Sequence, residues 1–208
     1  MINIVSKFID EKSLCKSGNK LLVAISGGAD SVALFFCLKE LGYDVELAHC
    51  NFNLRGDESD NDEEFVKQLA DKFGVRLHLK SFDTQKYTDE NKVSIQMTAR
   101  DLRYKWFNEL LVDNNLNYIA VGHHKNDDVE TFFINLTRGS GLKGLLGIKT
   151  KNNNIIRPLL CVSRIEIEAY LSAVKQSFRE DSSNKSVKYL RNKIRYELIP
   201  LLTEMNPS

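Results

Sequence analysis

Short apolar runs rich in β-branched residues alternate with longer amphipathic stretches along most of the chain. The apolar runs predict strands at 21–26, 44–50, 75–82 and 118–124. The amphipathic stretches have the apolar spacing of helices, at about 30–42, 58–73, 94–114 and 126–137. Strands joined by helical crossovers predict an α/β fold, a Rossmann-like parallel sheet with helices on both faces. Ligands of such sheets bind at the carboxyl ends of the strands.

The pattern changes after residue 137, where glycines crowd into 139–147. The elements predicted beyond them are an exposed turn at 149–154, a strand at 155–160, a helix at 163–175 and a last helix through 186–202. Ser163 and Glu166 have the spacing of a capping box at the start of the first of these helices. We therefore expect a main domain at 1–160 and a small, mainly helical extension at 161–208.

Composition narrows the class of protein. With 208 residues, 42% hydrophobic and 27% charged, the chain resembles an ordinary globular protein. It holds no apolar run of about 18 residues, the length of a membrane span. The amino terminus carries Asp10 and Glu11 and lacks the apolar core of a signal peptide, so we expect a cytoplasmic protein with no membrane contact. The four cysteines include no C-x-x-C pair, which argues against a zinc site, an iron–sulfur cluster and a disulfide framework.

The charges nearly cancel but are unevenly distributed. The 29 basic and 28 acidic residues leave a net charge of +1, which offers little general attraction to nucleic acid. An acidic block covers 57–64, and a basic block near the end contains Lys185, Lys188, Arg191, Lys193 and Arg195. Such asymmetry can mark an anionic partner, although a solvated helix face is the commoner explanation.

The first predicted strand ends in a motif suited to phosphate. The stretch LLVAISGGADS (21–31) places two glycines between a buried strand and a helix. Glycine lets anionic oxygens approach the main-chain N–H groups, and the helix amino terminus adds unpaired N–H groups and a partial positive charge. Ser26 and Ser31 add hydroxyl donors. We call Ser26–Ser31 the glycine loop and expect it to cradle a diphosphate or triphosphate.

Asp30 is the unexpected member of the glycine loop. A carboxylate beside phosphates is repulsive unless a cation bridges them, so its presence indicates Mg²⁺. Alternatively, Asp30 only caps the helix. Neither G-x-x-x-x-G-K-[ST] nor G-x-G-x-x-G follows the first strand, which excludes the ordinary P-loop and dinucleotide-binding interpretations.

The motif Ser-Gly-Gly-x-Asp-Ser after a buried strand resembles the pyrophosphate-binding loop of the N-type ATP pyrophosphatases, the PP-loop superfamily with an adenine nucleotide alpha hydrolase-like fold. That resemblance implies magnesium-dependent cleavage of ATP between its α- and β-phosphates, with transfer of AMP to an oxygen. Further segments resemble the tRNA(Ile)-lysidine synthetases, in the same order along nearly the whole chain. They are HCNFNLRGDESDNDEEFV (49–66), TARDLRY (98–104), GHHKNDDVETFFINLTRGSGLKGL (122–145), IRPLL (156–160), FREDSSN (178–184) and RNKIRYELIPLL (191–202).

The resemblance implies ligation of free L-lysine to the wobble cytidine in the CAU anticodon of tRNA(Ile), with ATP as co-substrate and Mg²⁺. The ring carbonyl oxygen of that cytidine attacks the α-phosphate of ATP and pyrophosphate leaves. The ε-amine of lysine then displaces AMP from the activated carbon, giving lysidine. The sequence is compatible with a homodimer and does not decide between a monomer and a dimer.

The resemblance also implies a set of nucleotide-binding residues. They are Ser26, Gly27, Gly28, Asp30, Ser31, Asn51, Arg100 and His123, with Asp30 as the metal contact and a catalytic residue. Arg100 and Arg103 are three apart on a predicted helix and share a face, so either could bind the α-phosphate; Arg103 is assigned to catalysis. By position alone both arginines could be surface residues, and His123 could be a packed residue at a strand end.

Recognition of lysine requires carboxylates and a proton acceptor. Asp127 and Glu130 begin a predicted helix, directly after His123 and His124 at the end of a strand. We expect Asp127 to bind the amine or act as base, Glu130 to support it and Asp128 to face elsewhere. The alternative is that these acids cap the helix.

Two basic residues of the last predicted helix complete the predicted site. Arg191 and Arg195 are four apart in the sequence and could meet the adenylated cytidine or the tRNA backbone, with Arg195 counted as catalytic. The alternative is that both are solvated charges on a helix face.

The match to the lysidine synthetases has two departures. Phe52 stands where the family often has a histidine. Many members continue into domains that grip the tRNA, so we expect a catalytic-domain fragment that lacks them and holds tRNA weakly.

Two other interpretations stay open. The chain could be another enzyme with the same ATP loop, such as a tRNA thiolase or a small-molecule amidotransferase, although thiolases need a cysteine pair. It could also be a nucleotide-binding module without catalysis.

Overall fold

The computed structural model describes residues 1–54, 56–84, 94–142, 144–180 and 190–206. Within this part of the chain, six strands form one sheet in the order β3-β2-β1-β4-β6-β5. The strands are β1 Lys20–Ala24, β2 Asp44–Asn51, β3 Leu77–Ser81, β4 Tyr118–Ala120, β5 Lys151–Asn152 and β6 Ile155–Ile156. Neighbouring strands are parallel, except that β5 runs antiparallel to β6.

Among the described residues, six helices pack around the sheet: the first precedes β1, the next four lie in the connections between strands, and the sixth follows β6. They are α1 Ile2–Glu11, α2 Ala29–Glu40, α3 Asp57–Phe73, α4 Ile95–Asp113, α5 Lys125–Thr137 and α6 Arg164–Ala173. A C-terminal helical segment follows, with α-helical Leu190–Lys193, a π-helical turn Ile194–Leu198 and α-helical Ile199–Met205. Short 3-10 turns lie at Gly144–Leu146 and Pro158–Cys161.

Local sequence signals account for several helix ends. Gly74 ends α3 in the left-handed region, with φ of 60°, and its N–H donates to the carbonyls of Ala70 and Asp71. Ser163 and Glu166 form the predicted capping box at the start of α6. The helices predicted at 58–73, 126–137 and 163–175 therefore agree with the structure to within about two residues at each end.

The sheet is covered on both faces, which confirms the predicted fold class. On β1, Leu21 and Val23 belong to one apolar core, with buried residues of α1, α2, α3 and α6. Leu22, between them, points to the other face and joins the core under Phe107 of α4. Alternate side chains of a strand point to opposite faces, so a central strand covered on both sides is apolar at every position.

Several predicted elements differ from the structure. The pattern predicted no helix before residue 20, yet α1 buries Val5 and Ile9 in the core. The turn expected at 149–154 contains strand β5, which pairs with β6 as a hairpin. The strand expected at 155–160 ends after Ile156, because Pro158 begins a 3-10 turn. The sheet is therefore parallel except for one antiparallel edge strand.

The ends of two further elements matter for the site. Strand β4 was predicted to reach residue 124 but ends at Ala120, so the following residues to His124 form a connection that leads into α5. The last helix was predicted over 186–202; residues 186–189 lie outside the described residues, and the helical segment continues to Met205.

The topology puts one crevice at the centre of the sheet. Strands β1 and β4 are adjacent, while β2 and β3 lie on one side of them and β6 on the other. The chain thus leaves the carboxyl ends of β1 and β4 in opposite directions, and such a switch point is where open α/β sheets bind ligands. Among the described helices, none has both the length and the apolar character needed to cross a lipid bilayer.

Candidate functional site

The glycine loop connects β1 to α2 at the switch point. Gly27 has φ of 90°, a conformation that glycine adopts without strain. Gly28 is the N-cap of α2 and provides no side-chain hydrogen bond to the first turn of that helix. First-turn N–H groups have no intrahelical partner, so the backbone N–H groups of this turn remain available for an anion.

Hydroxyl groups hold the glycine loop in shape. The Ser31 hydroxyl donates to the carbonyl of Gly28 at 2.9 Å and accepts from the N–H of Ser26 at 3.1 Å. From outside, the N–H of Arg179 donates to the carbonyl of Gly27 at 2.9 Å. The loop is thus braced both by its own side chains and by a distant segment.

Gly122 lets the end of β4 approach the glycine loop. A Cβ atom at Gly122 would lie 2.9 Å from the carbonyl carbon and oxygen of Asp30 and 3.0 Å from the nitrogen of Ser31. All three are backbone atoms, which cannot rotate away. The close contact therefore requires glycine at position 122.

A cavity of about 210 Å³ opens beside the glycine loop. The glycine loop and the connection after β4 provide a polar part of its lining: Ser26, Gly28, Asp30, Ser31, Gly122 and His123. The rest of the lining is mostly apolar and comes from the strands, the residues that follow them and α4: Ala24, Ile25, Ala48, Cys50, Arg103, Tyr104, Phe107 and Val121. An apolar slot next to a bed of N–H groups suits a planar base joined to phosphates.

Asp30 belongs to the polar part of the cavity lining. Both of its carboxylate oxygens accept from Nη1 of Arg164, each at 2.8 Å. Burial raises the pKa of Asp30, and the nearby His124 and Arg164 act in the opposite direction. The carboxylate is therefore held by a guanidinium from α6, a partner that the sequence analysis did not identify.

His124 connects Asp30 to the acids of α5. Its ring is buried, and Nε2 lies 3.7 Å from an oxygen of Asp30 and 3.5 Å from an oxygen of Asp127. The N–H of His124 donates to Asp127 at 3.0 Å, as expected of an acid that caps its own helix. The imidazole thus lies between the glycine loop and α5.

Asp127 and Glu130 of α5 bind two arginines of the C-terminal helical segment, and we call these four residues the acid–arginine cluster. Glu130 is fully buried and accepts from Nε of Arg191 at 2.6 Å and from Nε of Arg195 at 2.5 Å. Asp127 accepts from Nη2 of Arg191 at 2.8 Å. Arg191 and Arg195 are four residues apart and share a helix face.

Asp128 faces away from the acid–arginine cluster, as predicted. Its carboxylate accepts from the N–H of Ile148 at 2.5 Å, and a Cβ at Gly147 would collide with it. Asp128 therefore fixes the connection after α5 and does not contribute to the crevice.

His123 lines the cavity and is held by Arg157. Its Nδ1 accepts from Nε of Arg157 at 3.1 Å, so the ring is neutral with its proton on Nε2. Burial lowers the pKa of His123 to about 4. A neutral imidazole can donate one hydrogen bond into the cavity but carries no charge near pH 7.

The two arginines of α4 occupy different positions. Arg103 lines the cavity, with its guanidinium 5.1 Å from the ring centre of Phe52. Arg100 is exposed, lies over the ring of Tyr104 at 4.9 Å and does not line the cavity. Phe52, which stands where the family often has a histidine, thus supports the inward-facing arginine.

Asn51 and His49 hold the end of β2 in place. The amide nitrogen of Asn51 donates to the carboxylates of Asp60 and Glu63, each at 3.1 Å, so its side chain faces α3 and does not line the cavity. Burial lowers the pKa of His49, whose Nδ1 donates to the carbonyl of Ile25 at 2.9 Å. Arg55, which belongs to the segment 49–66, lies outside the described residues.

The oxygen atoms near the glycine loop suit a hard cation. Mg²⁺ takes one or two carboxylates together with phosphate oxygens and water, and Asp30 offers such a carboxylate. In the part of the chain that the structure describes, no three His, Cys, Asp or Glu side chains are grouped to hold a metal. A cation at Asp30 would therefore take most of its ligands from phosphate and water.

Comparison with known proteins decides the family. Residues 2–202 match the model of a PP-loop domain. The chain belongs to the PP-loop family. Relatives of this PP-loop chain include a tRNA(Ile)-lysidine synthase of Bacteroides thetaiotaomicron, 52% identical over 204 residues, with 98% of this chain and 48% of the relative covered. One of Porphyromonas gingivalis is 50% identical over 210 residues, with 100% of this chain and 46% of the relative covered.

The predicted resemblance is therefore confirmed. A third relative of this name, from Chlorobaculum tepidum, is 42% identical, with 95% of this chain and 62% of the relative covered. The PP-loop chain spans about half the length of the first two relatives.

Solved structures share the fold at low sequence identity. The U34-tRNA thiolase NcsA of Methanococcus maripaludis, a structure that contains a 4Fe–4S cluster, aligns with a TM-score of 0.76 at 18% identity. That alignment covers 99% of this PP-loop chain and 73% of the thiolase. An NH3-dependent NAD synthetase of Campylobacter jejuni aligns with a TM-score of 0.59 at 15% identity, covering 98% and 90%.

Sequence reasoning missed several residues of the PP-loop site. Arg164, Arg157 and the backbone of Arg179 come from beyond the main predicted strands, and each contacts a residue at least 34 positions away. Only the motif IRPLL drew attention to Arg157. No local signal marks Arg164, which follows the capping serine of an ordinary amphipathic helix.

Proposed function

We propose that this chain carries the catalytic centre for ATP-dependent ligation of L-lysine to the wobble cytidine in the CAU anticodon of tRNA(Ile), through an adenylated cytidine. The observation that carries the proposal is the meeting of two sites at one crevice. A phosphate-binding glycine loop and a pair of carboxylates on α5 are joined by His124. The names of the relatives support the tRNA substrate.

ATP would lie with its adenine against the mostly apolar part of the cavity lining and its phosphates on the glycine loop. The N–H groups at Gly27–Ser31 would bind the β- and γ-phosphate oxygens. Asp30 is the residue that would hold Mg²⁺ here, and the ion would supply the charge neutralisation that phosphoryl transfer needs. Membership of the PP-loop family supports the use of ATP at this loop.

Adenylation would activate the cytidine. The cytidine carbonyl oxygen forms a bond to the α-phosphorus while the bond to the bridging oxygen breaks, and pyrophosphate leaves. Negative charge that develops on the α-phosphate would be stabilised by the guanidinium of Arg103, which lines the cavity. The neutral ring of His123 would donate a hydrogen bond from Nε2. Arg100, outside the cavity lining, would contact the incoming RNA.

Lysine would then be oriented by Asp127. The ε-amine of lysine attacks the activated ring carbon, AMP leaves with the carbonyl oxygen, and Asp127 would accept a proton from the amine. Asp127 would bind this amine, a role supported by the 12% of its side chain that stays exposed, against 0% for Glu130. Glu130 would support the reaction by holding Arg191 and Arg195, so that their guanidiniums face the RNA.

The test is transfer of radiolabelled lysine to a CAU-anticodon tRNA by the wild-type protein. We expect label in the RNA only when ATP is present. An Asp127→Asn variant should lose at least about 100-fold in rate, since a general base and a charged ligand are removed together. The matched control is Asp113→Asn, an exposed aspartate at the end of α4, which should keep the wild-type rate. Lysine transfer by Asp127→Asn at the wild-type rate would contradict the assignment.

A tRNA thiolase is the second candidate, since a thiolase shares the fold. Cys50 is the cysteine that lines the cavity, and burial raises its pKa to about 12, so it stays a protonated thiol. A sulfur carrier needs a thiolate. The chain also has no C-x-x-C pair. A Cys50→Ala variant should therefore keep its lysine transfer, and sulfur incorporation into tRNA by the wild type would favour the thiolase.

A further inference from the structure

Arg164 is the first residue of α6 and reaches across the structure to the glycine loop. Its Nη1 donates to both oxygens of Asp30 at 2.8 Å, across 134 positions of sequence. Its Nε donates to Glu168 at 2.7 Å. In the described part of the chain, no residue accepts a hydrogen bond from Nη2. Arg164 is therefore bound to the acid of the glycine loop and still has an unused donor group.

The backbone of Arg164 is fixed while its side chain retains freedom. The N–H of Arg164 donates to the side-chain oxygen of Asn126 at 3.0 Å, and the capping box of Ser163 holds the start of the helix. The side chain is 37% exposed. A long side chain on a fixed backbone can exchange partners within a few ångströms at little cost to the fold.

We propose that Arg164 is a phosphate ligand that exchanges Asp30 for the β- and γ-phosphates of ATP. This inference rests on the proposed use of ATP. Without nucleotide, the guanidinium neutralises a carboxylate that would otherwise repel an anion at the glycine loop. With Mg²⁺ held at Asp30, the carboxylate would have a stronger partner than the guanidinium. Arg164 is then released beside the terminal phosphates, whose oxygens match its planar fork.

Exchange of this kind makes Arg164 specific for the phosphate tail. AMP has no β- or γ-phosphate, so it leaves nothing for the released guanidinium to bind. A brace that only supported the glycine loop would act through Asp30, so its effect should vanish once Asp30 is replaced by alanine, whereas a phosphate ligand would keep its effect. The loss of ATP affinity when Arg164→Ala is added to Asp30→Ala therefore distinguishes a phosphate ligand from a structural residue.

The test is calorimetric titration of the whole protein with ATP and with AMP, both in Mg²⁺. An Arg164→Ala variant should bind ATP about 10- to 100-fold more weakly, the loss expected for one or two charge-assisted hydrogen bonds. Its affinity for AMP should change by less than about threefold. Arg164→Lys keeps the charge but not the fork, and should lose about 5- to 10-fold in ATP affinity.

Arg76→Ala is the matched control, because Arg76 also pairs with a carboxylate, that of Glu46, and lies away from the cavity. It should bind both nucleotides as the wild type does. Equal losses of ATP and AMP affinity in Arg164→Ala, no loss of ATP affinity, or no further loss when Arg164→Ala is added to Asp30→Ala would overturn the proposal. These titrations use neither tRNA nor lysine, so a wild-type protein that failed to transfer lysine would still give a result for Arg164.

Discussion

The glycine loop and the acid–arginine cluster lie at the same edge of the sheet but are assembled in different ways. The hydrogen bonds between side chains and backbone inside the glycine loop join residues two to five positions apart. The hydrogen bonds of the acid–arginine cluster join two side chains each, from residues 61 to 65 positions apart. A contiguous loop can be recognised from its sequence, whereas a cluster of this kind depends on how two helical elements dock.

The glycine loop and the acid–arginine cluster also contribute different chemical groups to the site. The glycine loop offers backbone N–H groups, which are present whatever the side chains, and its glycines serve mainly to keep the approach open. The acid–arginine cluster offers side-chain charges whose value depends on burial and on mutual pairing. Substitutions in the cluster should therefore cost more stability than substitutions in the loop.

The largest effect is expected for Glu130→Ala. This change leaves Arg191 and Arg195 without the buried carboxylate that both of them bind. Loss of one partner of a buried ion pair costs about 3–5 kcal/mol, and partial exposure of the arginines lowers our expectation to about 3 kcal/mol in the free energy of unfolding. Urea denaturation of the wild type and the variant measures this loss of stability.

Glu109→Ala provides the control for Glu130→Ala. Glu109 pairs with Lys80 on the surface, with 46% of its side chain exposed, and its loss should cost less than about 0.5 kcal/mol. Equal stability of the two alanine variants would contradict the view that the acid–arginine cluster holds the C-terminal helical segment.

The second effect concerns Gly122, which packs the end of β4 against the glycine loop. Gly122→Ala should force the backbone at Asp30 and Ser31 apart, with a cost of about 2 kcal/mol in the free energy of unfolding. ATP affinity should fall about tenfold, because the N–H groups of the loop are displaced. The control is Gly141→Ala, where a Cβ would meet nothing within 4 Å. Wild-type ATP affinity in Gly122→Ala would show that the loop tolerates the displacement.

The third effect is a pH dependence caused by His123. Burial lowers its folded-state pKa to about 4, below the value of about 6.5 in the unfolded chain. Between these two pH values the folded state binds fewer protons than the unfolded chain. The stability that the neutral ring of His123 contributes is therefore complete above about pH 6.5 and is lost as the pH falls toward 4.

A His123→Asn variant should lose that dependence. Relative to pH 7, its stability at pH 5 should fall less than that of the wild type, by on the order of 1–2 kcal/mol. Thermal or urea unfolding at the two pH values measures the difference. Parallel curves for the wild type and the variant would mean that the buried ring is protonated as easily as a free histidine.

The smallest effect is expected inside the glycine loop itself. Ser31→Ala removes the hydroxyl that donates to Gly28 and accepts from Ser26, with a cost of about 1 kcal/mol. Ser172→Ala, at an exposed position of α6, should change stability by less than about 0.5 kcal/mol. A loss in Ser31→Ala as large as that in Glu130→Ala would remove the distinction between the two regions.

Much of the fold could be predicted because its signals are local. Alternation of apolar runs and amphipathic stretches located strands β1–β4 and the helices between them. Helix α1 was missed although it is as long as the predicted helix α6, and Val5 and Ile9 have the four-residue spacing of one helix face. The structure shows that this face packs against the core. Strand β5 was also missed, because its two residues are too few for a periodic pattern, while β6 lies within the strand predicted at 155–160 but is shorter.

In the candidate site, too, the features set by neighbouring residues could be predicted and those set by tertiary packing could not. The glycine loop was predicted because its residues are consecutive and its chemistry resides in the backbone. The orientation of Asn51 toward α3 and the exposed position of Arg100 could not be predicted. Each depends on which way a side chain leaves a strand or helix whose neighbours are set by tertiary packing.

By itself, the sequence determined the alternating pattern of the sheet, the glycine loop at the end of β1, the capping box at Ser163 and the order of motifs shared with the relatives. Only the tertiary structure decided the partners of the charged residues: Arg164 for Asp30, and Arg191 and Arg195 for Glu130. The physical reason is distance along the chain. Backbone conformation is set by neighbours within a few positions, whereas an ion pair forms wherever folding brings two opposite charges together out of water.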